Sequence, residues 1–448
     1  MGISTNERRT EEDNQLKKNA ANKVLHKISN SRTQMFVLFL VIFLFVNHFD
    51  FFKHPTDSMI SNIRMAILGT NLVVVYLGVI FLPATSKGRP FNGLFWKLVQ
   101  SLTLAYALNV LFLCFFSKEN LQLVLRDIFD SSLGVPLPDK NYAADCRLIT
   151  PEHPTSWMGN LTDHIDIFVL AHFLGWTFKV WIFRNTTVAW LMSLGFEVME
   201  LTLEVYLPNF RECWWDHLLL DIFGCNLIGM LIGFYTIRKF KMRKLHWFME
   251  PSEKTAKMTW YQKFIYSFTS RKEYIMQDKW HWLTGFHTFN GVLFFFCTNF
   301  ALDLSYFFVK SQIHMPPPHW IFAIRIWVLA FFSILAANDY YDYIVERSFN
   351  AMTMPLFLMF FVIGIEWIMF YKNMSEGLFD ASLHWFIKVF WTLFLTFWAG
   401  VNLYFVYEKY FQNSSMVRFM IRRKMSESSS TVDSVPTQKA SARAAKLK

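Results

Sequence analysis

Charge is scarce in this 448-residue chain. Asp, Glu, Lys and Arg make up 17% of it, against about 25% in an average soluble globular protein. That shortage excludes an ordinary solvated surface over most of the length. Cysteine is sparse as well. The five present lie mostly in or beside apolar segments, so no disulfide framework is expected. Cys114 sits too deep in such a segment to pair, whereas Cys146, in a polar loop, is placed to do so. Nucleotide-cradling and hydrolytic signatures are missing too. There is no GxxxxGK(S/T) loop, no GxGxxG behind a strand, no GxSxG and no HExxH.

What is abundant is apolar and aromatic. The chain is 53% hydrophobic, with 50 Phe and 17 Trp, which points to an all-α polytopic membrane protein rather than a soluble core. A span needs about 20 predominantly apolar residues. About ten segments meet that rule, centred on 35–52, 63–82, 98–116, 167–183, 188–206, 218–235, 282–300, 320–337, 354–371 and 385–406. The expected organisation is a polar N-terminal segment 1–34, a membrane domain 35–406 and a basic, disordered tail 407–448. The net charge of +10 resides in the tails and in loops between spans, above all the basic loop 236–280. With an even number of spans, the basic clusters fall on one side, which places both termini in the cytosol. The opposite side receives 117–166, 207–216, 310–319 and 372–383, including sequons at Asn160 and Asn373. The long polar start is unlike a cleaved signal peptide.

Against this background the stretch EVMELTLEVYLPNFRECWWDHLLLDIFGCN, residues 197–226, stands out. It sets Glu197, Glu200, Glu204, Glu212, Asp216 and Asp221 in or beside membrane spans. An ionised carboxylate at membrane depth costs about 2.5–3.5 kcal/mol on insertion scales. So many together call for a compensating cation, a shared proton or a wet cavity. Glu197, Glu200 and Glu204 line one helical face by their spacing, and Leu207-Pro208 ends that helix. The acids of the next span then face them across a tight turn. Hard oxygen donors without imidazole or thiol pairs favour Ca²⁺, Mg²⁺ or Mn²⁺ over Zn²⁺. The bland alternative pairs Glu204 and Glu212 with Arg211 and Arg184, and reads Trp214-Trp215 as an interfacial anchor. His172, in DHIDIFVLAHFLGW, lies in the span before the acids, and imidazole is the natural base near neutral pH. Asp163 and Asp166 read as N-terminal residues of the same helix.

LPNFRECWWDHLLLDIFGCN, with the preceding Glu197-x-x-Glu200, strongly resembles the eukaryotic base-exchange phosphatidylserine synthases. HIDIFVLAHFLGW, Arg89-Pro90 and the run Cys146–Thr150 are similar to blocks of the same family, and the resemblance covers about 50–406. It implies a ten-helix enzyme of the endoplasmic reticulum, commonly a homodimer. Such an enzyme exchanges the choline or ethanolamine of phosphatidylcholine or phosphatidylethanolamine for L-serine, using Ca²⁺ and no nucleotide. The CDP-alcohol phosphotransferase signature does not occur here, in keeping with that. The resemblance makes Glu197, Glu200, Glu212 and Asp216 calcium-site residues with Asp221 beside them, His172 the base, and Asn209 and Asn226 contacts for the headgroup or for the metal ligands. The site is expected near the lumenal side. The rival reading, a cation or proton transporter or channel, requires acids spread through the membrane depth, ideally on broken helices in two related halves. Here they gather at one boundary.

Overall fold

Without water, long apolar segments can satisfy their backbone groups only as helices or closed barrels, and this chain makes helices. We describe residues 58–83, 91–136, 143, 145–152, 157–165, 167–207, 210–316, 319–348 and 351–412 of a computed structural model. Nine long helices occur among them: α1 (Met59–Phe81), α2 (Gly93–Leu113), α3 (Ile167–Phe183), α4 (Thr186–Leu203), α5 (Asp216–Lys239), α6 (Phe286–Ile313), α7 (Trp320–Glu346), α8 (Met354–Asn373) and α9 (Trp385–Gln412). Seven of them, α1, α2 and α5 to α9, are long and apolar enough to cross a membrane. α3 is shorter, and α4 carries Glu197 and Glu200. Each of the nine expected spans that falls within the described residues lands on one of these helices. The expected first span, the segment 1–34 and most of the tail lie outside those residues. α9 runs to Gln412, past the expected start of the tail.

α2, α6, α7 and α8 pack into one central group. Trp96, Phe289, Phe332 and Val362 are fully buried there. Polar side chains tie this group together. The Arg325 guanidinium (α7) donates to Glu366 (α8) through Nε at 3.0 Å and Nη2 at 2.6 Å, and Ser305 Oγ (α6) donates to Glu366 Oε2 at 2.6 Å. Tyr106 of α2 donates its hydroxyl to the same carboxylate. α1 and α9 lie outermost, with few of their apolar side chains buried, as lipid-facing helices require. The basic loop is ordered rather than extended. Its helices Glu253–Ala256, Trp260–Thr269 and Arg271–Met276 are tied to the bundle by Trp247, which stacks on Phe295 at 3.9 Å and donates to the Phe183 carbonyl at 2.8 Å.

α3 and α5 approach more closely than their bulk would suggest, and the reason is a pair of glycines. Gly229 and Gly233 form a G-x-x-x-G pattern on α5, the arrangement that lets helix backbones touch in membranes. A Cβ on Gly229 would stand 2.5 Å from the Phe173 carbonyl oxygen, and one on Gly233 2.7 Å from Val180 Cβ. Thr177 Oγ1 bonds the Gly229 carbonyl at 3.1 Å across the same contact. This crossing holds His172 of α3 against the acids of α5.

Candidate functional site

α5 begins as a π-helix over Asp216–Asn226 before continuing as an α-helix. A π-helix closes its hydrogen bonds between residues five apart, so side chains at that spacing come nearly into line. Asp216, Asp221 and Asn226 have it, and all three are buried. In an α-helix, Asp216 and Asp221 would diverge onto different faces. Short π segments inside helices often mark functional sites.

Glu197 and Glu200, one turn apart on α4, face this wide coil and are buried. His217 stands among the acids. Its Nδ1 lies 3.0 Å from Glu197 Oε2, 3.7 Å from Glu200 Oε2 and 3.8 Å from Glu212 Oε2. Two groups result, each with its donor atoms within 4.8 Å of one another: Glu197, Glu200, His217 and Asp221, and Glu212, Asp216 and Asp221. Asp221 belongs to both. His172 completes the arrangement, with Nδ1 3.4 Å from Asp221 Oδ1. Asn226 donates through Nδ2 to Ser193 Oγ at 3.0 Å and to Glu197 Oε1 at 3.3 Å. That contact ties Asn226 to a carboxylate of the cluster.

The donor set fits a divalent cation. Among the described residues, Glu200 Oε2, Glu212 Oε2, His217 Nε2 and Asn226 Oδ1 are buried without a hydrogen-bond partner. Buried polar atoms are ordinarily satisfied, and these four belong to the carboxylate cluster, where a bound cation would satisfy them. Just before α5, burial, with Glu200 and Asp221 close by, pushes the Glu212 carboxyl well above the usual carboxylate range.

The structure changes several expectations. Glu204 leaves the cluster, caps the C-terminus of α4 and meets His384 at 3.2 Å. Arg184 sits at the far end of α3, bonded to Asn338 and to the carbonyls of Trp181 and Arg243. Arg211 reaches the Glu204 carbonyl. Trp214 is exposed as a membrane anchor would be, but Trp215 is fully buried and donates to the Cys146 carbonyl at 3.2 Å. Cys146 itself forms a disulfide with Cys213, which joins the polar loop to the turn that enters α5. Asp163 belongs to a separate short helix, Gly159–His164. Of the two sequons, Asn160 is bonded through its amide to two carbonyls and Asn373 is buried. Asn209 and Asp166 lie outside the described residues. Sequence reasoning missed His217, although it follows Asp216 directly. The recurring five-residue spacing of Asp216, Asp221 and Asn226 was the available signal.

Residues 92–374 match the family described as phosphatidyl serine synthase. The chain is 31% identical over 294 residues to the Arabidopsis thaliana protein named CDP-diacylglycerol--serine O-phosphatidyltransferase 1, covering 65% of this chain and 68% of that one. It is 30% identical over 303 residues to phosphatidylserine synthase 2 of Danio rerio, covering 66% and 64%. With phosphatidylserine synthase 2 of Homo sapiens the identity is 26% over 345 residues, covering 76% and 68%.

Proposed function

The chain belongs to the phosphatidyl serine synthase family, and from that premise we propose that it makes phosphatidylserine by base exchange. It trades the choline or ethanolamine of a phospholipid for L-serine, with calcium and without a nucleotide. One observation supports this reading most: Glu197, Glu200, Asp216 and Asp221 are buried and Glu212 is half-buried, their donor atoms gather with His217, and His172 stands beside Asp221. Calcium bound there would draw charge from the phosphodiester oxygens as it develops. Glu197, Glu200, Glu212, Asp216 and Asp221 would hold it. His217 keeps Glu197 and Glu200 turned toward the cluster, and Asn226 braces Glu197.

His172 serves as the base, with Asp221 fixing its ring. It takes the proton from the serine hydroxyl as the serine oxygen bonds to phosphorus. The bond from phosphorus to the choline or ethanolamine oxygen breaks, and the proton ends on that leaving alcohol. One phosphodiester replaces another, so no nucleotide is needed to drive the exchange. The site faces the lumen of the endoplasmic reticulum in this reading. The positive-inside pattern supports that orientation, as does a disulfide beside the site, since such bonds persist in oxidising compartments.

The names of plant relatives favour a second reading, in which CDP-diacylglycerol is the donor. Labelled serine supplied to vesicles holding the protein and one donor lipid at a time separates the two. Base exchange predicts labelled phosphatidylserine from phosphatidylcholine or phosphatidylethanolamine, with release of free choline or ethanolamine. Product formed from CDP-diacylglycerol alone, with release of CMP, would replace that assignment.

A further inference from the structure

Beside the acidic centre, Asp145–Glu152 and the short helix Gly159–His164 make contacts that the reaction as described does not use. The Cys146–Cys213 disulfide pins the first of these segments to the entrance of α5. Trp215 Nε1 donates to the Cys146 carbonyl at 3.2 Å. Further along, Asn160 Nδ2 donates to the carbonyls of Asp145 and Arg147, at 3.1 and 2.9 Å. Arg147 holds its own turn through Asp145 and Glu152, at 2.7 and 2.5 Å. His164 ends this path. Its Nδ1 lies 2.6 Å from the Asn160 carbonyl oxygen, its ring meets Trp215 edge-on at 4.9 Å, and its Nε2 lies 3.6 Å from Asp216 Oδ2.

The hydrogen bonding constrains what His164 does. A carbonyl oxygen only accepts, so Nδ1 carries a proton. Nε2 is the nitrogen that faces Asp216 Oδ2, at 3.6 Å, so the fixed ring limits the directions in which that carboxylate can turn. A histidine whose other nitrogen is held by a carbonyl is the usual way a metal site fixes ring orientation. Asp216 is held from the other side by its own N–H, which donates to the Cys213 carbonyl at 2.9 Å. Both halves of the grip thus lead back to the same disulfide.

We propose that His164 is a positioning residue that sets the Asp216 carboxylate for the cation, and that the Cys146–Cys213 bond holds His164 in place to do so. The inference rests on the cation-dependent reading of the site. Its test is the calcium concentration that half-saturates purified, detergent-solubilised protein, read by calcium-induced thermal stabilisation and, separately, by serine incorporation. His164→Ala should raise that concentration about 10–100-fold, the usual cost of losing an outer-shell partner, and leave the KM for serine in place. His164→Gln, which keeps a polar atom near the Nε2 position, should recover most of the loss. Cys146→Ser with Cys213→Ser should shift the midpoint in the same direction, and adding His164→Ala should shift it little further, because coupled residues are not additive.

A folded His164→Ala protein with the wild-type calcium midpoint would overturn the proposal. So would a glutamine variant no better than alanine, or full additivity with the disulfide variant. If His164→Ala does not fold, the glutamine and disulfide variants decide by the same midpoint. Wild-type protein that gains no stability from calcium would instead remove the cation reading beneath the inference, an outcome distinct from an unmoved variant.

Discussion

Two groups of buried acids in this molecule are compensated in opposite ways. Glu366 lies between helices with a fixed partner for each oxygen: both guanidinium contacts of Arg325, the Ser305 hydroxyl and the Tyr106 hydroxyl. Asp303 likewise meets Lys179 at 2.7 Å. The acidic centre of α4 and α5 has five carboxylates, and the side chains that meet them are the imidazoles of His164, His172 and His217. Both groups bear the cost of desolvation. The first meets it within the chain and becomes a fastening between α2, α6, α7 and α8. The second leaves oxygens of Glu200 and Glu212 without a hydrogen-bond partner, which an incoming cation would meet. The completeness of its partners, more than the presence of an acid in the membrane, separates a structural carboxylate from a functional one.

The largest effect should come from the chemistry itself. His172→Ala should lower serine incorporation by about 10²–10⁴-fold, the range for a lost general base, while calcium still stabilises the protein. Incorporation near the wild-type rate would remove His172 from the mechanism. Next in size is the fastening. Glu366→Ala strands Arg325 in a buried position, which should cost about 3–5 kcal/mol in thermal unfolding while turnover per folded molecule holds. Replacing both partners, Arg325→Met with Glu366→Leu, should restore most of that stability. A double variant as unstable as the single one would show that the network does more than neutralise charge.

The smallest effect carries the opposite sign and therefore tests the contrast most sharply. Glu200→Gln removes one of several crowded acids, so without calcium the variant should be more stable than the wild type by about 0.5–2 kcal/mol, the gain typical of relieving a functional site. It should also lose most of the stabilisation that calcium gives, which for wild type would reach about 2.7 kcal/mol at a hundred times the dissociation constant. A destabilised Glu200→Gln would place this acid with Glu366 among the structural ones.

The spans were legible because an apolar run of that length has one dominant use. The acids were legible because their cost at membrane depth is high, so Glu197, Glu200, Glu212, Asp216 and Asp221 announced themselves. What decides their grouping is helical phase, and that was hidden. An α-helical period separates Asp216 from Asp221, whereas the π-helix brings them into line. The same phase turns His217 inward and sends Glu204 out to His384. The Cys146–Cys213 bond spans 67 residues and depends on how the polar loop folds back, which spacing does not reveal. Gly229 and Gly233 are visible as letters, but their value lies in the α3 backbone that comes against them.

If a cation meets the charge of the acidic centre, phosphatidylserine synthesis should require that cation. The most direct test is labelled serine incorporation by membranes containing the protein, without nucleotide, with calcium present or chelated, for wild type beside Glu200→Gln. Wild type should incorporate serine, chelation should abolish this and calcium restore it, and Glu200→Gln should incorporate none in either condition. Wild-type incorporation that persists under chelation, or a Glu200→Gln variant that keeps pace with it, would contradict the account.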